Sequence, residues 1–387
     1  MIIVDIFLWL IFSFFSFFVL YFLIFDLGAI CFKPKVFPNS LKQGKFLVLI
    51  PSYKEDAVIL NTASEAIKQN YPQHLYEVCI IADKLKPETI AKLQQMPLKV
   101  VEVFFETSTK IKSINTVLSQ LDNNYEYVMI LDADNIMESD CLQKFNNAFQ
   151  SGLKAVQGHR TAKNKNTSFA MMDGLTEEIN NNIFRSGHRA LGLSSALIGS
   201  GMAFQIDFFK EVISTITVSW EDKQIEFNIL KNRVLIEYLK DVFIYDEKVQ
   251  NAEVFASQRS RWVAGQLHSL KNYTPEGIRQ LLKGNFDYFN KLIQTCIPTR
   301  VIMLGLIPML GVITFFLPVA LPFYNWFILW ALYILSIFMA IPGKMYNKEL
   351  LKAILQVPKA FVFMVLALLK VGKAKKSFVH TPHSHVN

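Results

Sequence analysis

The feature that most constrains the fold of this chain is an apolar run that ends in two carboxylates. Residues 127–135 read YVMILDADN, so Asp132 and Asp134 follow directly on five apolar or aromatic residues. The run predicts a buried strand, and open α/β sheets bind ligands beyond the carboxyl ends of their strands. Two acids at this spacing suit a hard divalent cation that also takes phosphate oxygens. By itself the doublet favours a turn or a helix cap.

Residues 45–131 alternate short apolar runs with amphipathic stretches. Strands are predicted at 46–50, 76–82, 98–105 and 127–131, and helices at 56–70, 88–95 and 112–121. This alternation indicates an α/β domain with a parallel sheet and helices on both faces. Asp83 follows the second strand as Asp132 and Asp134 follow the fourth. The three carboxylates are therefore expected at one edge of the sheet.

Three further sites in the second half of the chain admit both a functional and a structural interpretation. Gly199-Ser200-Gly201 lies inside an apolar run, which fits close approach of the backbone to a ligand or a plain loop. Glu221-Asp222 opens an amphipathic helix, where acids are ordinary first-turn residues. Arg261 and Trp262 are either a surface ion-pair residue and a core aromatic, or a phosphate ligand and a platform for a sugar ring.

Apolar segments at both ends indicate a membrane protein. The chain of 387 residues is 52% hydrophobic, with a mean hydropathy of +0.27. About 20 apolar residues within 2–25 are long enough to cross a bilayer. They lack the basic start and the cleavage site of a signal peptide, so a retained helix is expected. Further spans are predicted at 301–316 and 326–341, and 351–371 is expected either to cross or to lie in the interface.

The distribution of charge argues against a nucleic-acid-binding protein, and the cysteine content argues against a protein held together by disulfides or zinc. The net charge is +8, but lysines such as Lys33 and Lys35 cluster beside apolar segments. Anionic lipid headgroups are therefore the expected partner, and no nucleic acid is expected. The four cysteines are scattered, which indicates a reducing compartment and neither disulfides nor a zinc site. Lysines after the first span place the segment that follows it in the cytoplasm, and lysines after the third span fit a hairpin of the second and third spans with both outer ends cytoplasmic.

With these pieces in order, the chain resembles the membrane-integrated family 2 glycosyltransferases, the group of cellulose, chitin and hyaluronan synthases. The resemblance covers most of residues 45–265. It rests on four ordered elements: Asp83 after a strand, Asp132-Ala133-Asp134, Glu221-Asp222, and Gln258-Arg259-Ser260-Arg261-Trp262, which matches the family's Q-x-x-R-W motif. One departure is Trp220, where the family usually has Thr, and this difference is expected to reshape the acceptor pocket.

Two shorter motifs extend the resemblance. Pro51-Ser52-Tyr53-Lys54-Glu55 looks like the family's nucleotide-binding P-x-Y-x-E turn, and Gly199-Ser200-Gly201 looks like its acceptor-side glycine loop. The resemblance implies a GT-A nucleotide-diphospho-sugar transferase domain flanked by transmembrane helices. The implied boundaries are 1–30 for the first transmembrane helix, 31–290 for the cytoplasmic GT-A domain, 291–345 for a transmembrane hairpin, and 346–387 for an interfacial or transmembrane helix and a basic cytoplasmic tail.

The resemblance also implies roles for these residues. The nucleotide would contact Pro51, Tyr53, Glu55, Asp83, Asp132 and either Lys110 or Lys112. A Mg²⁺ or Mn²⁺ ion on Asp134, helped by Asp132, would stabilise the diphosphate leaving group. Asp222, beside Glu221, would be the general base that takes the acceptor proton, with inversion at the sugar carbon. The diphosphate and the acceptor would meet Gln258, Arg259, Arg261, Trp262 and the loop Gly199-Ser200-Gly201.

The remaining hypotheses differ in the molecule that accepts the sugar. Within the family, Q-x-x-R-W usually accompanies processive synthesis, so the sequence favours transfer of a hexosyl or N-acetylhexosaminyl group from a UDP-linked donor to a growing β-linked poly- or oligosaccharide. Three spans are few for a channel, which implies a homo-oligomer or a separate export partner. Ceramide glucosyltransferases carry very similar motifs, so a single transfer to a ceramide or polyprenyl-phosphate lipid is the alternative.

A non-catalytic membrane subunit is the third hypothesis. In each case a multi-pass protein of the membrane (inner or plasma membrane if bacterial) is expected.

Overall fold

The structure is a computed structural model of the chain. It describes residues 2–121, 124–164, 166–216, 221–248 and 252–374, with side chains described outside 252–261 and 367–374. Within these ranges an α/β domain is joined to a group of long apolar helices.

A mixed sheet forms the centre of the α/β domain. Its strands are β1 (Phe46–Tyr53), β2 (Tyr76–Asp83), β3 (Lys99–Val103), β4 (Tyr127–Ile130), β5 (Ile136–Met137), β6 (Ala155–Ala162), β7 (Met202–Gln205) and β8 (Ile236–Asp246). In the described residues they lie in the order β3-β2-β1-β4-β7-β6-β8-β5. The first four strands pair in parallel. Helices therefore connect them, as the alternating pattern predicted.

The parallel arrangement predicted from residues 45–131 does not extend to all of the strands beyond β4. Strand β7 runs antiparallel to both β4 and β6, and β5 runs antiparallel to β8. The partner of Ile130, at the end of β4, is Met202, at the start of β7. The chain therefore enters β7 from the edge at which β4 ends. As a consequence, Gly199-Ser200-Gly201 lies beside the residues that follow β4.

The helices are α1 (Ile2–Cys31), α2 (Ile59–Ala66), α3 (Pro87–Leu93), α4 (Lys110–Gln120), α5 (Cys141–Gln150), α6 (Ser168–Asn180), α7 (His188–Ala190), α8 (Ile206–Ile213), α9 (Glu221–Lys231), α10 (Ala252–Leu282), α11 (Phe286–Cys296), α12 (Arg300–Phe315), α13 (Phe323–Ala340), α14 (Lys348–Leu355) and α15 (Val357–Ala374). The stretch 168–189, expected as one helix, is divided because a π-helix (Asn181–Gly187) separates α6 from α7. The stretch 351–371 is divided between α14 and α15.

Helices cover both faces of the sheet. Side chains alternate along a strand, so Val48 and Ile50 of β1 face one layer and Leu47 and Leu49 face the other. The first layer contains α2, α3 and α5, and the second contains α4, α8 and α9. All four of these β1 residues are fully buried. The three-layer arrangement confirms the prediction of helices on both faces.

A third apolar cluster joins α1, α12 and α13 to α6 and the π-helix. In the described part of the chain, α1 and α13 are long and apolar enough to cross a membrane, and α11 with α12 would be a third span if this pair, bent by 63°, is one span. The long helix α1 docks closely on the π-helix. A Cβ atom added at Gly187 would lie 2.2 Å from the carbonyl oxygen of Phe25.

Substitution of Gly187 by Ala tests this docking. The added methyl meets backbone, which cannot rotate away, so α1 must shift from the domain. We expect Gly187→Ala to destabilise the protein by about 1–3 kcal/mol, measured as a lower melting temperature in detergent. Gly343→Ala is the control, because a Cβ atom there meets nothing within 4 Å. Equal melting temperatures for the two variants would contradict the close packing.

Candidate active site

The ends of β1 and β2 form one side of the candidate site. Tyr53 pairs with Asp83 in the last register position of the two strands, and the amide of Lys54 donates to the carbonyl of Asp83 at 3.1 Å. Asp83 is 2% exposed and Ser52 is 1% exposed. Among the described residues, Asp83 Oδ1 and Ser52 Oγ have no hydrogen-bond partner. Buried polar atoms of this kind are costly unless they are satisfied, so both are suited to bind a polar ligand.

Two lysines lie over the ring of Tyr53. Lys54 and Lys84 follow β1 and β2 directly and adopt positive φ angles of 58° and 57°. Such angles are uncommon outside glycine and often mark functional sites. Both ammonium groups lie 5.4 Å from the centre of the Tyr53 ring. Positive charge is thereby concentrated beside Asp83 at the sheet edge.

Asp132 is held by two side chains, Lys110 and Ser200. Its carboxylate forms an ion pair with Lys110, the first residue of α4. Lys110 also donates to the carbonyl of Gly199 at 2.8 Å. The amide of Asp132 donates to Ser200 Oγ at 2.9 Å, and this hydroxyl in turn donates to Asn135 Oδ1 at 2.6 Å. The structure therefore brings the acid pair and the glycine loop together.

The first turn of α9 lies across the glycine loop from Lys110. A Cβ atom added at Gly199 would lie 3.8 Å from Lys110 Nζ and 3.9 Å from Asp222 Cβ. Burial raises the pKa of Glu221 to about 7, with Asp222 and Asp132 adding to the rise and Lys110 opposing it. Burial lowers the pKa of Lys110, but Asp132, Glu221 and Asp222 outweigh it and the net pKa is raised. Lys110 therefore stays protonated among three carboxyl groups.

Asp134, the second carboxylate of the acid pair, is connected to a buried network of hydrogen bonds and ion pairs. Asn135 donates to Asp134 Oδ1 at 3.0 Å and to Asp246 Oδ1 at 2.8 Å. Asp246, at the end of β8, pairs with Lys248 at 2.5 Å. Burial opposes ionisation of Asp246, but Lys248 and Arg160 hold its pKa below its usual value. Asn135 therefore links the carboxylate of Asp134 to the charged groups around Asp246.

Glu177 of α6 joins the cations of this network. It pairs with Arg160 at 2.8 Å, with Arg185 at 3.2 Å and with Lys248 at 3.6 Å. Burial opposes its ionisation, but these three cations lower its pKa well below the usual range. Sequence reasoning missed this network because its members are dispersed between positions 134 and 248. Asn135, directly after the acid pair, was the one local signal.

Gln157 of β6 was also missed, and it shapes the glycine loop. Its side-chain amide donates to the carbonyls of Ser200 at 3.0 Å and Gly201 at 3.1 Å, and its carbonyl accepts from the amide of Ile198 at 3.2 Å. The glycines have φ angles of +82° and +62°, which L side chains rarely adopt. The only sequence signal for Gln157 was an amide at the end of an apolar run.

The remaining predicted residues are less closely gathered. Pro51 ends the apolar part of β1, and Glu55 begins the turn into α2, where its carbonyl accepts from Ile59 at 3.1 Å. Lys112 is exposed and donates to the carbonyl of Thr107 at 3.1 Å, so Lys110 is the lysine that contacts Asp132. Trp262 lies on α10 and is 41% exposed. The side chains of Gln258, Arg259 and Arg261, and all of Trp220, lie outside the described residues.

The acid pair offers a donor set that fits a divalent metal. In the described ranges no group of three or more His, Cys, Asp and Glu is arranged to hold a metal ion. Mg²⁺, however, is commonly bound by one or two carboxylates together with substrate phosphates and water. Asp132 and Asp134, one residue apart at the sheet edge, match that pattern. Their oxygens would complete a coordination sphere only with a diphosphate present.

Comparison with known proteins agrees with the geometry. The model of the family described as glycosyltransferase-like family 2 matches residues 43–265. β-Monoglucosyldiacylglycerol synthases from Trichormus variabilis and from a Nostoc species are each 26% identical over 261 residues, covering 64% of this chain and 54% of theirs. The chain thus spans about half the length of the curated relatives it matches.

Among solved structures, a mannosyltransferase from Pyrobaculum calidifontis in complex with GDP-Man and Mn²⁺ is similar in fold. The TM-score is 0.53 at 14% identity, with 94% of this chain and 100% of that chain covered. At this identity the likeness shows the GT-A fold alone. Since the family match covers more than half of the chain, this protein belongs to glycosyltransferase-like family 2.

Proposed function

We propose that the protein is an inverting glycosyltransferase that moves one sugar from a nucleotide-diphospho-sugar to a hydroxyl group of a membrane lipid. The observation that carries the proposal is the convergence of Asp132, Lys110, Gly199 and Asp222 at one edge of the sheet. This edge belongs to a domain packed against apolar helices long enough to cross a bilayer.

The donor would bind along the ends of β1, β2 and β4. Asp83 Oδ1 and Ser52 Oγ are available to the hydroxyl and base groups of a nucleoside. The lysines over Tyr53 provide positive charge for a polyanion. Asp134 and Asp132 would hold Mg²⁺ or Mn²⁺, which supplies neutralisation of the diphosphate charge. Lys110, held protonated by its neighbours, would contact the same diphosphate.

Asp222 would act as the general base. It would accept the proton of the acceptor hydroxyl while the acceptor oxygen bonds to the anomeric carbon and the bond from that carbon to the diphosphate oxygen breaks. The electron pair of the broken bond leaves with the diphosphate. A single displacement of this kind inverts the configuration at the sugar carbon. Asp222 is suited to this role because it lies beside the glycine loop, opposite the acid pair.

A lipid acceptor is favoured over a polysaccharide for two reasons. The matched relatives are named as synthases of a glucosylated diacylglycerol. The described part of the chain has two, or at most three, candidate spans, which leaves little material for a channel. The half-exposed Trp262 in the Q-x-x-R-W motif favours the second candidate, extension of a β-linked saccharide, because an exposed indole can stack on a sugar.

The lysines that follow α1, Lys33 and Lys35, support a cytoplasmic catalytic domain in a multi-pass protein. Donor, acceptor lipid and bilayer would then meet at the cytoplasmic surface.

The product of the purified enzyme in lipid nanodiscs tests the proposal. With diacylglycerol, Mn²⁺ and radiolabelled UDP-glucose or GDP-mannose, we expect label in a single glycolipid that extracts into organic solvent. Chelation by EDTA should abolish transfer, because the acid pair cannot neutralise a diphosphate without a metal. Label retained in an aqueous polymer would support the saccharide alternative. Absence of turnover with every donor and acceptor would contradict both.

Replacement of Asp222 by Asn tests the base. We expect kcat to fall by about 10²–10⁴-fold, while the affinity for UDP or GDP changes little. Turnover assays and calorimetric titration of the nucleoside diphosphate measure the two quantities. Asp207→Asn is the control, since Asp207 is an exposed first-turn acid of α8. An equal loss of nucleotide affinity in Asp222→Asn would show that Asp222 is not the base.

Replacement of Glu221 by Gln tests its raised pKa. Burial raises this pKa from 4.5 to about 7, so the folded protein keeps a proton that the unfolded chain releases within that window. The contribution of Glu221 to the free energy of unfolding therefore falls as the pH rises from 4.5 to about 7, and it is constant above that pH. Over this pH range, the free energy of unfolding of the wild type should fall by about 1–3 kcal/mol relative to that of Glu221→Gln.

Melting temperatures at intervals between about pH 5 and pH 8 provide the measurement. Glu211→Gln, at an exposed glutamate of α8, should retain the wild-type slope. Identical slopes in all three proteins would mean that Glu221 titrates as an ordinary carboxyl group.

A further inference from the structure

We infer that a cavity between the end of α1 and α7 binds the headgroup of an anionic phospholipid from the surrounding bilayer. Its volume is about 620 Å³, within the range of small-molecule sites. Residues of α1 and of the segment that follows it line one side, and the opposite side is formed by Arg189, Leu191 and Glu237. The cavity therefore spans the junction of the N-terminal helix with the α/β domain.

The rim of the cavity is cationic. Lys33 and Lys35 line it, both are exposed, and neither forms an ion pair with another described residue. Lys35 contacts an aromatic ring, with its ammonium 5.2 Å from the centre of Phe37. Arg189 is already neutralised, since it donates to both carboxylate oxygens of Glu237, at 2.6 and 3.0 Å. The two lysines are thus the charges available to a phosphate.

The wall beside this rim is apolar and exposed. Ile24, Leu27 and Leu191 are 55%, 57% and 48% exposed and line the same cavity. An isolated anion would gain nothing from these side chains, whereas an acyl chain would cover them. The combination of two available cations with an apolar wall is therefore specific to a phospholipid, rather than to free phosphate.

The cavity also lies at the right depth. Helix α1 has 30 residues and is about 45 Å long, while the hydrocarbon core of a bilayer is about 30 Å thick. If the helix enters the core near its first residue, its last third lies among the headgroups. Ile24, Leu27 and the two lysines belong to, or directly follow, that last third. Cytoplasmic anionic lipids attract basic residues at this level.

The cavity is separate from the candidate active site. Glu237 lies near the start of β8, and Asp246 lies at its end beside the acid-pair network. A bulge between Leu239 and Phe243 shortens this stretch, so the partners of Glu237 and Asp246 on β6, Val156 and Ala162, are six residues apart, which corresponds to roughly 20 Å. None of the residues proposed to hold the donor, the metal or the acceptor proton lines the cavity, and the bound headgroup would tie α1 to α7.

Native mass spectrometry of the full chain in detergent, titrated with short-chain phosphatidylglycerol, tests the inference. Each lysine near an anionic lipid contributes roughly fivefold in affinity, so Lys33→Gln/Lys35→Gln should bind about 25-fold more weakly. Short-chain phosphatidylcholine should bind the wild type at this weakened level, because it has no net charge. Inorganic phosphate should not displace phosphatidylglycerol.

The matched control is Lys42→Gln/Lys92→Gln, which removes the same charge from exposed positions outside the cavity. It should retain the wild-type affinity. Unchanged binding in the Lys33/Lys35 variant, or equal weakening in the control, would overturn the inference, as would displacement by phosphate. Binding is measured without a sugar donor, so the result does not depend on transfer activity.

Discussion

The antiparallel pairing of β7 with β4 is the interaction on which the candidate site depends. Four residues of β7 pair with four of β4, and this register sets Met202 against Ile130. The residues before Met202 then lie against the residues after Ile130. Ser200 can therefore accept the amide of Asp132, and the carbonyl of Gly199 can accept from Lys110. A shift of the register by one residue would turn the buried side chains of β7 to the other face and separate these partners.

Buried charge holds this arrangement in one conformation. Behind the acid pair, Glu177 and Asp246 form ion pairs with Arg160, Arg185 and Lys248, and Asn135 connects Asp246 to Asp134. Removing one member of such a network leaves an uncompensated charge, at a cost of about 3–5 kcal/mol. A second buried pair, Glu226 with Lys291, fixes α9 to α11 and with it the first turn that carries Asp222. The site is thus positioned by α6 and by the pair of α9 and α11.

Helices α6 and α7 connect the α/β domain to the apolar helices. His188 of α7 stacks on Phe25 of α1 at 3.8 Å between ring centres and contacts the hydroxyl of Tyr21 at 3.0 Å. Burial lowers the pKa of His188 to about 3, so its ring is neutral in this contact. Arg300, at the start of α12, donates to Asn180 at 2.7 Å. The proposed transfer to a membrane lipid requires such a fixed distance between the bilayer and the candidate site.

The sequence by itself determined the α/β alternation, the four parallel strands, the apolar helices and the strand-terminal position of Asp83, Asp132 and Asp134. These features follow from local periodicity and from the spacing of a few polar residues, which do not require knowledge of distant contacts. Only the tertiary structure decided the direction of β7, the break of the 168–189 helix at the π-helix, the choice of Lys110 over Lys112, and the roles of Gln157 and Asn135. Each of these depends on partners far apart in the chain, and hydrogen bonds and ion pairs at such separations leave no periodic signal in a single sequence.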